Sequence, residues 1–362
     1  MTIGVITHWR SDDNYGQTLQ AYALQAVLRE MGHKPFLIRY ISNNGSIRWR
    51  LKNKLKSLIS FQQILQRKKA KHKNVTKEVS RGAQAFLQKH ITLSDEVFTR
   101  KSILNSPPEA DIFITGSDQV WNKLDGSYFL DFIKAQNVKK ISYAASFGGI
   151  EYSGLDAVYI TKWLKSFSAI SVRELDGLQQ CQRLGAKPAT LVPDPTLLLP
   201  SATYKELTRD TTPNNNKYIF VYLLGSKICF DVDLIYSFAK ERGLDVVYVA
   251  SQGMDDDYTK IYPDISQWLS LISNAEYVVT NSFHGTVFSL IFNRQFITIP
   301  LSYHAARMNG RMETLLNKFN LKERLTNNLS ILTTDISYMD FQAMLNAYRK
   351  EGIEFLNNSI NQ

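Results

Sequence analysis

The chain has 362 residues, 44% of them hydrophobic and 12% aromatic, so it is too long for one ordinary core and apolar enough to bury two. No stretch reaches the roughly 18 to 20 apolar residues of a membrane span, and the N-terminus MTIGVITHW lacks the basic and apolar regions of a signal peptide, so a cytoplasmic protein is expected. The net charge of +10 is a local excess, and two distant cysteines with six histidines, none of which has another His or a Cys at ligand spacing, argue against a disulfide framework or a structural zinc.

Strand and helix patterns alternate along the chain. The first half offers a strand at 3–7, a helix from about 18 to 31, a strand at 35–40, a basic segment, strands at 111–116 and 141–146, a helix near 157–166, and strands at 169–174 and 189–199. The polar stretch RDTTPNNNK at 209–217 is a linker. Beyond it come a strand at 218–225, a helix at about 232–241, strands at 245–250 and 277–279, with helices at 265–273 and from His284, then a strand at 295–300 and a helix at 311–319. The expected organisation is α/β, with two Rossmann-like domains, 1–208 and 218–337, facing across a cleft. A helix within 338–362 crosses back to the first domain.

The charge excess falls between Ser46 and Lys101, where about fifteen Lys and Arg face three acids. Leu51, Leu55, Leu58, Ile59, Ile64 and Leu65 interleave with the basic residues at near-helical spacing, which predicts a basic helical insertion at 46–101. It is either a solvated insertion or a face, through 46–75, for anionic lipid headgroups or a diphosphate-linked acceptor. No nucleic-acid motif accompanies the charge, so no nucleic-acid partner is expected.

The stretch YVVTNSFHGT at 277–286 is the most informative one. A buried parallel strand runs into a polar turn and then the first turn of an apolar helix, where unpaired N–H groups and a partial positive charge make an anion site. His284 stands there with Ser282 as cap and Gly285 permitting close backbone approach; a lone His could equally cap or pack, but the whole pattern favours function. At the end of the 111–116 strand, Ser117, Asp118, Gln119 and Trp121 either face the cleft or form a turn, a cap and a core anchor. Arg173 follows the strand AISV and either pairs with Glu174 or grips an anion bidentately. The first βα loop, Asp12 to Gly16, is polar but carries no GxGxxG, and no Walker A sequence is present. Asp231 and Asp233 form a DxD pair that fits helix caps better than a metal and nucleotide-sugar site. Asp255 to Asp257 read as a solvated loop.

Taken in order, the motifs Asn14-Tyr15-Gly16 with Leu19, Gln20, Tyr22, Ala23 and Leu24, then GSDQVWN (116–122), SYAASFG (142–148), SVRE (171–174), VPDPT (192–196) and SFHGT (282–286) resemble those of the polysaccharide pyruvyl transferase family. The resemblance covers most of the chain, leaves out 46–100 and is specific as a set. It implies a glycosyltransferase-B-like fold, phosphoenolpyruvate as donor with no obligatory metal or other cofactor, and a sugar or lipid-linked oligosaccharide as acceptor. The product would be a pyruvate ketal on a capsular, exopolysaccharide or cell-wall glycan. Arg173 and His284 match the family's donor-binding positions, Arg311 aligns with a further cation, and Ser282 and Gly285 shape the same turn. His284 would protonate the enol carbon or the departing phosphate, and Asp118 or Asp13 would orient or deprotonate the sugar. Asn14, Tyr15, Ser117, Gln119 and Trp121 are the expected acceptor contacts. Two other functions fit the same architecture: a nucleotide-sugar glycosyltransferase and a non-catalytic glycan-binding protein.

Overall fold

The computed structural model describes residues 1–10, 14–42, 81–209, 216–225, 228–251 and 256–361. Asp13 and the basic runs at 48–56 and 67–73 lie outside the described residues, as does most of the expected linker.

Two parallel sheets organise the chain. The first has seven strands, β1 (Thr2–Ile6), β2 (Lys34–Ile41), β3 (Leu93–Thr99), β4 (Ile112–Thr115), β5 (Lys139–Ala145), β6 (Ala169–Val172) and β7 (Ala189–Leu191), in spatial order β3-β2-β1-β4-β5-β6-β7. The second has four, β8 (Tyr218–Tyr222), β9 (Asp245–Val249), β10 (Tyr277–Thr280) and β11 (Gln295–Thr298), in order β11-β10-β8-β9. The central strands have apolar side chains on both faces because helices cover both faces; all five residues of β8 are buried. Strand order reverses direction at β1/β4 in the first sheet and at β8/β10 in the second, and the crevices outside such switch points are where open α/β sheets bind ligands.

The helix Tyr15–Glu30 follows β1, and its N-cap Asn14 accepts from Gln17 N at 3.1 Å. Its first turn docks on the second sheet. Tyr15 stacks on Trp268 with ring centroids 5.1 Å apart and donates to the Pro263 carbonyl at 2.7 Å. The helix Phe283–Ile291 follows β10 and is buried along its whole length. Burying Val287, Phe288, Leu290 and Ile291 stabilises this arrangement by about 1.5–3 kcal/mol per side chain. The C-terminal helix Tyr338–Asn361 returns to the first sheet, where Arg349 donates to the carbonyls of Leu197 and Leu199 and Lys139 Nζ donates to Ile360 O. Gly352 lies against Tyr143 with no room for a Cβ. Among the described residues no helix is long and apolar enough to cross a membrane.

Two expectations from sequence need correction. Residues 46–101 are not one helical insertion: Ala83–His90 is a helix, but Leu93–Thr99 is an edge strand paired with β2 from Leu37↔Leu93 to Ile41↔Thr99. Ser94 and Phe98 face inward while Asp95 and Glu96 face solvent, so one sheet face suffices to hold this polar strand. The strand expected at 189–199 ends at Leu191, because Asp194 caps a short helix, Pro195–Leu198, with proline at its first position.

Candidate active site

The ends of β4, β6 and β10 and the turn after β7 converge on one buried carboxylate, Asp194. Its Oδ2 accepts from Ser117 Oγ at 2.8 Å and from Arg173 Nη1 at 2.9 Å. Its Oδ1 accepts from the N–H and hydroxyl of Thr196, at 3.0 and 2.7 Å. Burial opposes ionisation of Asp194, but His284, Arg173 and these donors outweigh it and hold the carboxyl well below the usual range. With its lone pairs taken, Asp194 positions its neighbours and has little capacity left as a base.

What it positions is a set of unspent donors. Arg173 is 3% exposed; Nη1 is engaged, while Nε and Nη2 have no hydrogen-bond partner, Nε lying 3.5 Å from Glu174 Oε2. His284 Nε2 is 3.6 Å from Asp194 Oδ2, too long for a hydrogen bond, and is likewise unpartnered. Arg311 Nε is a third unpartnered donor. Both guanidiniums approach the Phe283 ring, with Arg173 4.3 Å and Arg311 5.8 Å from its centroid. Burial and the neighbouring Arg173 push Arg311 down to about 10, so it is still a cation at neutral pH. Burial pushes the Glu174 carboxyl up, against the pull of Arg173. Buried N–H groups left without acceptors cost about 1–3 kcal/mol each, a cost that a bound anion would remove.

The turn before the helix Phe283–Ile291 completes the site. Ser282 caps the helix, accepting from Gly285 N at 3.3 Å, and Gly285 packs so closely on β10 that an added Cβ would lie 2.4 Å from Thr280 Oγ1. His284 is held from the other domain by Gly16, where an added Cβ would lie 2.0 Å from His284 Nδ1. Gly16→Ala is therefore expected to displace either the imidazole or the whole docked helix end. It should cost about 1–3 kcal/mol in urea unfolding by overpacking, and about 10²-fold in kcat/KM of any reaction that uses His284. Wild-type kinetics in that variant would show that the contact is not needed.

Asp118 differs from Asp194 in being held by the backbone N–H of Gln119 rather than by side-chain donors. It follows β4 with φ of +80°, an uncommon conformation for a non-glycine residue. Burial opposes its ionisation, but His8, Arg173 and His284 surround it and keep its pKa below the ordinary value. It stands on the crevice between His8 on one side and the Arg173–His284 pair on the other.

The remaining expected residues are distributed unevenly. Ser117 is fully buried and serves Asp194. Asn14 caps its helix, and Tyr15, 2% exposed, joins the two sheets through Trp268 and Pro263. Gln119 reaches Met308 Sδ across the interface, its Nε2 donating at 3.2 Å. The expected acceptor contact of Trp121 is corrected: its indole is fully buried, stacks on Phe129 at 5.2 Å and donates to the Tyr128 carbonyl, which makes it the core anchor. Asp231 accepts from Asp233 N at 3.0 Å just before the helix Asp233–Glu241, but the N-cap is Val232, so neither aspartate is the expected cap. Among the described residues no group of three or more His, Cys, Asp or Glu side chains is arranged to hold a metal ion. Sequence reasoning quoted Asp194 only within VPDPT and Glu174 only as a partner for Arg173, and gave neither a place in the site. The Asp-Pro step after a strand was a cap signal for Asp194, but nothing local showed which cations it would meet.

Residues 14–303 match the family model described as polysaccharide pyruvyl transferase. Solved structures similar to this chain include UDP-GlcNAc 2-epimerase from Neisseria meningitidis bound to UDP-GlcNAc, 8% identical with a TM-score of 0.56 over 99% of each chain. UDP-GlcNAc 2-epimerase from Methanocaldococcus jannaschii is 11% identical with a TM-score of 0.50, again over 99% of each chain. At such identities the likeness is one of fold, the glycosyltransferase-B-like pairing of two Rossmann-like domains across a cleft. No curated protein matches the sequence.

Proposed function

Because this chain belongs to the polysaccharide pyruvyl transferase family, we propose that it moves the pyruvyl group of phosphoenolpyruvate onto two hydroxyls of one sugar residue as a ketal. The glycan would be a capsular, exopolysaccharide or cell-wall precursor, pyruvylated in the cytoplasm as a free or lipid-linked oligosaccharide, with 46–75 as a contact to the membrane surface. The observation that carries the reading is the set of buried, unpartnered donors on Arg173, His284 and Arg311 beside a helix N-terminus. Phosphoenolpyruvate presents a carboxylate and a phosphate, and fork-shaped guanidiniums with N–H groups are the chemistry that grips both without calling on a metal.

In the reaction, C3 of the enol gains a proton and two sugar oxygens bond to C2 as the C2–O bond to phosphate breaks. The two hydroxyl protons leave the sugar, and the net transfer puts one on C3 and one on phosphate. In this reading His284 delivers a proton to C3 or to the departing phosphate, Arg173 and Arg311 stabilise the charge that develops there, and Asp118, kept ionised, takes a hydroxyl proton. Asp194 holds Arg173 and His284 in register.

Phosphoenolpyruvate at about 100 times its dissociation constant should stabilise the protein by about 2.7 kcal/mol, read as a rise in Tm, while UDP-GlcNAc and other nucleotide sugars should not. Stabilisation by a nucleotide sugar and none by phosphoenolpyruvate would replace this reading with a nucleotide-sugar glycosyltransferase.

A further inference from the structure

Beside the Asp118 carboxylate, at the β1/β4 switch point of the first sheet, lies a cavity of about 270 Å³ that the donor scheme does not use. Its walls are built from His8, Trp9, Gln17, Tyr40, Asn122 and Tyr128, among others. At about 30 Å³ per water it has room for a single pyranose ring rather than an oligosaccharide. None of the anion-site side chains lines it, and the two are linked through neighbouring residues. Gln17 adjoins Gly16, which packs on His284, and the Gln119 carbonyl next to Asp118 lies 3.3 Å from His8 Nε2.

The polar groups of this cavity are fixed in orientation. A carbonyl can only accept, so His8 Nε2 carries the proton, and Nδ1 accepts from Tyr128 OH at 3.2 Å. Burial first, then the nearby Asp125, keep the Tyr128 phenol protonated, so its hydroxyl donates to His8 and keeps its remaining acceptor capacity for another partner. Asn122 contributes an Oδ1 that is buried without a hydrogen-bond partner. Trp9 is locked as a flat wall by its donation to Tyr40 O at 2.8 Å, and the Tyr40 hydroxyl is taken up by Asp125. Flat aromatic walls with fixed hydrogen-bonding groups suit a sugar ring, which offers C–H faces and hydroxyls, and the exposed cations Arg10 and Lys123 complete the lining.

We infer that this cavity is the subsite for the acceptor's reacting sugar ring, with Tyr128 and Asn122 accepting from its hydroxyls, His8 positioning Tyr128, and Trp9 as the wall it lies against. The inference rests on the pyruvyl-transfer reading for its role, since the cavity wall His8 lies against the Gln119 carbonyl next to Asp118, with the Arg173–His284 pair on the other side of Asp118. It replaces Trp121, Tyr15 and Ser117 with residues of which only Asn122, the last of GSDQVWN, stands in a motif of the sequence.

The test is a titration of the full chain's tryptophan fluorescence with methyl glycosides of galactose, mannose, glucose and the N-acetylhexosamines, run beside the Tm shift with phosphoenolpyruvate. At least one glycoside should change the fluorescence saturably, and the change should vanish in Trp9→Phe. The dissociation constant should rise about tenfold in Asn122→Ala and in Tyr128→Phe. The Tm shift with phosphoenolpyruvate should be the same in all three variants. Saturable binding by no glycoside, or binding that both Asn122→Ala and Tyr128→Phe leave unchanged, overturns the subsite. Absence of any phosphoenolpyruvate shift in the wild type overturns the donor reading instead, and the glycoside titration then decides on the cavity by itself.

Discussion

Arg173→Ala is expected to lower turnover about 10³-fold and, unlike an ordinary active-site substitution, to destabilise the protein by about 3–5 kcal/mol. The guanidinium is buried between Asp194 and Glu174, at 2.9 and 3.5 Å, so removing it strips the nearest cation from two buried carboxyls. Asp194 would keep His284, Ser117 and Thr196 but lose its hydrogen-bonded guanidinium, and its depressed pKa should rise. A depressed carboxyl contributes stability above its unfolded pKa of about 3.9, and that contribution is lost as pH falls toward the folded value. In Arg173→Ala this contribution shrinks, so acid unfolding should begin at higher pH than in the wild type. Glu174 acts in the opposite sense: its raised pKa favours the fold below about 4.3, and this advantage is lost as pH rises through the folded value. Urea unfolding at several pH values, with Arg173→Lys as a second variant, separates the two roles. Lysine restores charge and part of the stability but not the fork, so its turnover should remain low. A stable Arg173→Ala protein with near-normal turnover would remove Arg173 from both the fold and the chemistry.

His284→Ala should give the complementary result, a fall in kcat of about 10²–10⁴-fold with a small loss of stability. Its Nε2 is unpartnered, and Asp194 remains satisfied by Arg173, Ser117 and Thr196 when the imidazole is gone, so no buried charge is orphaned. The Tm shift with phosphoenolpyruvate should persist through Arg173 and Arg311, which places the defect in proton delivery rather than in donor binding. A kcat within a fewfold of wild type would exclude His284 from the reaction; loss of the Tm shift together with kcat would make it a binding group. The two substitutions thus differ in stability although they stand in one cluster, because Arg173 is hydrogen-bonded to Asp194 and lies against Glu174, whereas His284 makes no hydrogen bond to either carboxylate.

The features legible in the sequence were those written within a few residues. The apolar run of β10 followed by Ser282, His284 and Gly285 already specified a strand, a cap and a close-packed helix start, because each depends on local dihedral preferences and on side chains reaching their own backbone. Alternation of such units was enough for two parallel sheets. β3 was not legible, since its alternation is short and polar and follows a long basic stretch with helical spacing; it is a strand because β2 offers an unpaired edge.

The fate of the polar residues at the strand ends was decided elsewhere. Ser117 and Asp194 are 77 residues apart, yet the hydrogen bond between them exists because β4, β6 and β7 end on the same edge. Trp121 looked suited to a sugar and proved to be a core anchor, whereas His8 and Tyr128, 120 residues apart and without a motif, face one cavity. Sequence alone determined that this chain builds parallel α/β sheets, carries a capped, close-packed helix start at His284 and has the ordered motifs of its family. Only the tertiary structure decided which carboxylate is spent on holding cations and which buried donors are left without a partner. Pairing and desolvation of charged groups depend on neighbours that the fold brings together from distant parts of the chain.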